Sequence, residues 1–368
     1  MELKRGTYLK FKQLRFIIAS WVALGFIIAV YDHLVLHTQN SLGTSVNYSF
    51  AISAARNMGA GLMGALLGGS LLVFYVNVKY RDRPYGQTIL YVSLFFVLTV
   101  AAVTAVMAIL MVPVRTGKPL HDPVTLAALK DFVTDSHPLK SLVIWSLIVA
   151  VTQLMLQVNN KFGQGVLADI VTGKYQMPKA EKRVFMFLDL NGSTSMAEQL
   201  GDERYHQLLR DFFADITNPI LDNHGNIYQY VGDEVVVSWE YEQGIKGATC
   251  IQCFFDIKQH IHDRMGKYVS RYGFVPTFKA GIHCGTVVAG EIGIIKRDIT
   301  YSGDVLNTTS RIQSLCKEFD HEIIASGDVI SEMGSSDIFS SHFLGAIKLR
   351  GKEKELPLNG IRRNISVA

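Results

Sequence analysis

The chain has 368 residues, a formal net charge of +4, 49% hydrophobic and only 18% charged residues. Its mean hydropathy of +0.21 is high for a soluble protein, and residues before about Val158 cause the excess, so a uniformly globular chain is excluded. The four cysteines (Cys250, Cys253, Cys284, Cys316) all fall in the polar half. Their spacing suits neither a disulfide framework nor a complete zinc site, which fits a reduced cytosolic compartment.

Lys4, Arg5, Lys10, Lys12 and Arg15 lead directly into an apolar run and read as topology signals rather than as a nucleic-acid patch. A bilayer crossing needs about 20 apolar residues, and the stretches 14–36, 57–78, 88–112 and 139–158 meet that length. The first is too long, and lacks the small-residue cleavage site, for a removed signal peptide. Lys79, Arg81 and Arg83 lie between the second and third stretches and Lys161 follows the fourth, while the loop 37–49 has no Lys or Arg and the loop 113–138 balances its charges. This alternation predicts that both termini face the cytosol.

In the second stretch Ala60, Gly64 and Gly68 share one face, a spacing that lets helix backbones approach, within the bundle or between protomers. His33 and His37 are one helical turn apart, as a metal or haem would require, but no third ligand is evident and polar tips are common at the membrane interface. Arg56 is expected to snorkel to the outer surface. The partner expected of this half is the lipid bilayer, and the sequence names no ligand for the bundle itself.

The connector 159–181 carries Val166, Leu167, Ile170 and Val171 at helical spacing, which predicts a short amphipathic helix ending near Gly173, with Pro178 closing the segment. From Arg183 the period changes. Val184–Leu190 is a continuous apolar run interrupted by Asp189, followed by Asn191-Gly192-Ser193-Thr194 and a helix-patterned segment: a buried strand, a tight turn and a helix start of the kind that favours phosphate. Residues 226–239 read as two strands joined at Gly232-Asp233. A lone turn Asp is usually only a satisfied turn residue, but two acids, one beside a phosphate-type turn, raise the case for magnesium. Over 304–316 a helix would stack Asn307 on Arg311 while Leu306, Ile312 and Leu315 face the core. Cys250 and Cys253 fall in a helix expected to be buried, where thiols are inert.

On these residues the region Lys182–Ile361 resembles the catalytic domain of class III adenylyl and guanylyl cyclases. The likeness rests on Phe187-Leu188-Asp189-Leu190-Asn191-Gly192-Ser193-Thr194, Gly232-Asp233, Ala280–Gly285 with Val288-Ala289-Gly290, and Gly303-Asp304 with Asn307 and Arg311. The apolar runs predict an α-helical transmembrane bundle (1–158) followed by the connector, with which the resemblance is compatible, and the resemblance implies an α+β ferredoxin-like catalytic domain (182–368) that works as a head-to-tail homodimer. It implies that Asp189, Asp233 and the Leu190 carbonyl hold two Mg2+ ions, which Mn2+ can replace, and that the turn Asn191, Gly192, Ser193 and Thr194 meets the nucleotide. Asn307 would orient the ribose and Arg311 the phosphates from the facing protomer. Arg350, with Lys352 as second choice, would contact the terminal phosphates.

Gln229 and Thr300 occupy the positions that select the base, where adenylyl cyclases usually have lysine and aspartate. A glutamine amide serves adenine, or, turned over, guanine. The missing glutamate of guanylyl cyclases favours ATP as substrate, with a guanylate or dual-specificity enzyme as the alternative. A diguanylate cyclase would need a phenylalanine after Gly232-Asp233-Glu234, and a non-catalytic receptor or scaffold would not need both acids together with Asn307 and Arg311.

Overall fold

Long apolar runs form helices through the first half of the chain. The computed structural model describes residues 5–38, 49–76, 79–80, 84–134, 136–163, 169–170, 172–295, 297–334 and 338–364. Two units are distinguished, Tyr8–Leu167 and one built mainly from Ala168–Ala368. The first contains α1 (Arg5–Thr38), α2 (Phe50–Gly64), α3 (Tyr85–Thr116), α4 (Pro123–Thr134) and α5 (Ser136–Phe162), with α2 continued by wider π-helical turns at Ala65–Gly69 and Leu71–Val76. Among the described residues three stretches, Arg5–Val35, Phe50–Val76 and Leu142–Asn159, are long and apolar enough to cross a membrane. The expected third crossing, 88–112, lies within the single helix α3, Tyr85–Thr116.

Two local expectations need correction. The segment 113–138 is not all loop, because the Asp122 carboxylate accepts from the Val124 N–H at 2.9 Å and Pro123 opens α4, a favourable helix start. The small-residue face is also displaced by one position: Gly61, Ala65 and Gly69 are the buried residues, while Ala60 is exposed. A Cβ on Gly61 would stand 2.5 Å from the Trp21 carbonyl oxygen, and one on Gly25 2.5 Å from that of Asn57, so α1 and α2 meet backbone to backbone within one bundle. Trp21 Nε1–H donates to Thr152 Oγ1 at 3.0 Å and ties α5 to the same contact. The His33 ring lies 5.0 Å from that of Phe50. The His37 side chain falls outside the described residues, as does most of the predicted connector helix. The connector's end is described: Gly173 (φ +66°) closes a turn in which its N–H reaches the Ile170 carbonyl at 3.1 Å.

The second unit holds β1 (Lys179–Leu190), α6 (Ser193–Leu200), α7 (Asp202–Asp222), β2 (Asn226–Val231), β3 (Glu234–Glu240), α8 (Tyr241–Ile245), α9 (Thr249–Asp263), α10 (Met265–Tyr272), β4 (Phe278–Ile292), β5 (Asp298–Ser302), α11 (Asp304–Ser314), β6 (Ile323–Ser326), α12 (Gly327–Met333), β7 (Phe339–Ile347) and β8 (Leu356–Arg363). The sheet runs β2-β3-β1-β4-β6-β8-β7, with β5 pairing β4. Among these pairings β4–β6 is parallel and the rest are antiparallel, giving an α+β domain with a mixed sheet.

The apolar run of β1 follows from its place. Val184, Met186 and Leu188 face a core with Leu208, Phe212 and Ile216 of α7 and Ile251, Phe254 and Ile257 of α9, while Phe185 and Phe187 face a second cluster with Val236, Val287 and Val305. Both faces being covered, the strand is apolar throughout rather than alternating. It begins at Lys179, earlier than its apolar run, because the polar residues before Arg183 pair with β4 but have no partner in β3. Cys250 and Cys253 are free and fully buried, and burial pushes the Cys250 thiol up to about 12.

A polar clasp joins α7 to α10. Buried Asp215 accepts from Tyr268 Oη at 2.8 Å, from Lys267 Nζ at 3.1 Å and from Arg264. Asp211 accepts from Arg271 at 2.6 Å and Tyr272 Oη at 2.7 Å. Burial works against the Asp211 charge, but Tyr272, Lys267 and Arg271 outweigh it and hold its carboxyl below the ordinary 3.8. A depressed folded-state value means the stabilisation is complete above the unfolded value and disappears as pH falls through the folded one. Asp211→Asn is therefore expected to lower stability by about 1 kcal/mol at neutral pH, with the gap to the unsubstituted chain closing below about pH 3.8. Thermal melts across that range check this, and a gap independent of pH would contradict it.

Candidate active site

Register brings the acids together. Asp189, next to last in β1, stands opposite Glu234 at the start of β3 and opposite Lys279 of β4. Asp233 occupies the tight turn between β2 and β3, where Gly232 supplies the positive φ (+63°) that the turn needs. Asp189 Oδ2 accepts from Gln313 Nε2 at 3.0 Å and lies 3.6 Å from Lys279 Nζ. Burial and then the proximity of Asp233 raise the Asp189 carboxyl, against the opposing pull of Lys279 and Gln313. Glu234 is pushed up to about 7, first by burial and then by the charges of Asp189 and Asp233.

Such crowding is unfavourable until a cation enters. Among the described residues no group of three His, Cys, Asp or Glu side chains is arranged to hold a metal. The Asp189 and Asp233 carboxylates lie together instead, a pair that would suit an ion that keeps water and takes its other oxygens from phosphates. Leu190 ends β1 beside them with its side chain buried, so only its backbone could face an ion there.

The turn after β1 is fixed by Asn191, whose N–H donates to the Thr277 carbonyl at 2.9 Å and whose Nδ2 donates to Thr277 Oγ1 at 3.2 Å. Gly192 takes φ +69° and Ser193 and Thr194 open α6, so the turn stands directly beside Asp189 in the chain.

The helix α11 has two working faces. Gln313 is buried and holds Asp189, and α11 comes so near β4 that a Cβ on Gly281 would lie 2.4 Å from the Gln313 nitrogen. Asn307 is exposed and Arg311 half-buried. At about 100° per residue, Arg311 is turned some 200° and Asn307 some 240° from Gln313, away from their own Asp189. The Arg311 guanidinium lies beside Gly351, 3.5 Å from where a Cβ there would stand. Lys352 pairs with Asp304 at the start of α11, while Arg350 is exposed.

Gln229 is exposed on β2, just past a bulge that leaves Tyr228 without a ladder partner, and Thr300 is half-buried on β5 with Oγ1 3.5 Å from the Gly290 carbonyl. Among the described residues these two make no hydrogen bond with each other. Their neighbours do: the Tyr301 N–H donates to Tyr228 Oη at 3.3 Å. Sequence reasoning missed Gln313, Lys279 and Glu234. Only the cross-strand register and the packing of α11 bring the first two to Asp189, and no sequence spacing signals either.

The mixed sheet carries a carboxylate pair beside the turn that opens α6, an arrangement that could take a metal ion and a phosphate together. The Adenylate and Guanylate cyclase catalytic domain family matches residues 175–358, half of the chain, and the chain belongs to that family. The family works with divalent metal ions. "Adenylate cyclase 2" of Rhizobium meliloti (strain 1021) is 38% identical over 202 residues, covering 55% of this chain and 56% of the relative. "Adenylate cyclase" of Anabaena cylindrica is 26% identical over 188 residues, covering 49% of this chain and 37% of the relative. The chain thus spans about half or less of the length of these relatives. A solved bacterial light-regulated adenylyl cyclase shares the fold with a TM-score of 0.53 at 20% identity, covering 62% of this chain and 67% of that one.

If Gln313 holds Asp189 in its cation-binding position, Gln313→Met should weaken Mn2+ binding about ten-fold, as read by titration calorimetry on the full chain. Unchanged affinity would leave the amide with a packing role alone.

Proposed function

We propose that the chain is a membrane-anchored adenylate cyclase that converts ATP to 3′,5′-cyclic AMP and pyrophosphate at the interface of a head-to-tail homodimer. The observation that carries this reading is the geometry of α11. Gln313 faces the Asp189 of its own chain, whereas Asn307 and Arg311 face away from it. A second copy, with its own half-buried acid pair, would give the outward pair something to act on, and twofold symmetry then produces two equivalent sites.

In this reading Asp189, Asp233 and the Leu190 carbonyl hold two Mg2+ ions, replaceable by Mn2+. When bound, the ions supply charge that lowers the cost of ionising the ribose 3′-hydroxyl and of separating pyrophosphate. The turn Asn191-Gly192-Ser193-Thr194 accommodates phosphate oxygens next to the acids. Asn307 of the facing copy orients the ribose for attack on the α-phosphorus, and Arg311 stabilises charge developing on the phosphate oxygens. Arg350 is exposed, so it is available to the terminal phosphates, whereas Lys352 is engaged by Asp304, which ranks it second. Gln229 and Thr300 meet the base. The Gln229 amide lacks the fixed charge of a lysine or glutamate, so preference for ATP over GTP rests on which way it is turned.

The three long apolar helices fit membrane association, and the Lys and Arg distribution supports a cytosolic location for both ends of the chain, where ATP is available. The relatives named adenylate cyclase support the choice of base.

Asp189→Asn and Arg311→Ala should each reduce turnover of ATP by at least about 100-fold. Co-expressed, the two variants form mixed dimers in which one site has both of its halves intact, so cyclic AMP production should recover to an appreciable fraction of normal. Absence of recovery, with mixed dimers demonstrated by dual-tag purification, would rule out catalysis shared between copies. Side-by-side turnover of ATP and GTP by the unsubstituted chain tests the base preference.

A further inference from the structure

Arg183 lies deep in the second unit, 5% exposed, on the part of β1 that the catalytic acids do not use. Its Nε donates to Glu181 Oε1 at 2.5 Å, an Nη donates to Tyr175 Oη at 3.2 Å, and its guanidinium carbon lies 4.8 Å from the centre of the Tyr301 ring. Burial opposes its charge, but Tyr301, Glu181 and Tyr175 outweigh that and keep it protonated. Burying a cation is costly, and hydrophobic residues of like volume would often serve stability as well. Its contacts therefore merit a reason beyond stability.

Those contacts lead to the two strands proposed to select the base. The Tyr301 ring packs on Phe185 at 5.4 Å and on Tyr228 at 5.0 Å, and its N–H donates to Tyr228 Oη. Tyr301 follows Thr300 on β5, and Tyr228 precedes Gln229 at the β2 bulge. In the sheet β2 and β5 are not neighbours, since β3, β1 and β4 lie between them. No direct ladder hydrogen bond joins them, and the tyrosine pair supplies a contact that crosses the face between them. On the other side of Arg183, Tyr175 is 3% exposed, and its carbonyl accepts from the Glu291 N–H of β4 at 3.1 Å, so the arginine has a rigid backing.

We propose that Arg183 is a positioning residue for base discrimination: through Tyr301 and Tyr228 it fixes the separation of Thr300 and Gln229, and with it the orientation in which the Gln229 amide meets the purine. This rests on the nucleotidyl cyclase reading above. An amide able to serve either purine discriminates only when held, because a free flip costs little and exchanges its donor and acceptor. A buried cation on an aromatic face supplies such a hold, and its planar fork and ring contact are not reproduced by lysine.

The test uses the full-length chain and initial rates with ATP and with GTP for the unsubstituted protein, Arg183→Lys, Tyr228→Phe and the double variant. The ratio of kcat/KM values for the two nucleotides is independent of the fraction of folded enzyme, so a merely structural role does not move it. Both single variants should shift the ratio towards unity by about five-fold or more, chiefly through KM, and the double variant should be no less selective than the weaker single one, because the residues act in series. Should Arg183→Lys fail to fold, Tyr228→Phe removes a single hydroxyl and carries the test alone. An unchanged ratio, with both nucleotides losing rate equally, overturns the inference while leaving the cyclase reading intact, as do effects of the two substitutions that simply multiply. An unsubstituted chain that forms no cyclic product from either nucleotide overturns both.

Discussion

Everything at the site depends on β1 being clasped between β3 and β4 in one register. That register sets Asp189 opposite Glu234 on one side and Lys279 on the other, with Asp233 in the adjoining turn. The strand cannot slip to relieve the crowding, because a one-residue shift would turn Val184, Met186 and Leu188 out of one core and Phe185 and Phe187 out of the other. The hydrophobic cores thus hold carboxylates closer together than they would settle on their own. Glu234, pushed up to about 7 first by burial and then by the charges of Asp189 and Asp233, bears part of that constraint, which a divalent cation would relieve.

The same economy governs α11. Gly281 lacks the side chain that would keep the helix away from β4, and the resulting close approach lets the Gln313 amide reach Asp189. Helical periodicity then turns Asn307 and Arg311 outward. One short helix serves the acids of its own chain with one face and presents polar groups to a different surface with the other. This gives a physical reason for a shared site that does not depend on the size of any interface.

How far the sequence carried this architecture depended on whether a feature was local. The β1 run was legible because burial on both faces leaves an uninterrupted apolar signature, and Asp189 and Asp233 were legible as acids at a strand end and a tight turn. The α11 face was legible through the i, i+4 spacing of Asn307 and Arg311. Lys279 and Gln313 were not, since they reach Asp189 by cross-strand pairing and by packing of elements distant in the chain. In the apolar half, Ala60, Gly64 and Gly68 have the right period, but Gly61, which alone leaves room for the Trp21 carbonyl, sets the packed face one residue along. The start of α4 was hidden in a segment whose balanced charges suggested a loop, although Asp122-Pro123 is a helix-opening pair.

Arg183 marked only a change of period in the sequence, and its surroundings bear on whether the domain is an enzyme or a scaffold of the same fold. A domain kept only for its shape would be stabilised by removing its electrostatic costs: the raised carboxyls of Asp189 and Glu234, and a guanidinium buried among Tyr175, Glu181 and Tyr301. Apolar side chains of similar volume would fill these places in the core. Two of these costs fall where the proposed reaction would use them, at the acid pair and beneath the strands that carry Gln229 and Thr300, whereas buried Asp215 in the clasp between α7 and α10 is a structural one. Costs that coincide with the proposed reacting groups are what a working site predicts and a bare scaffold does not.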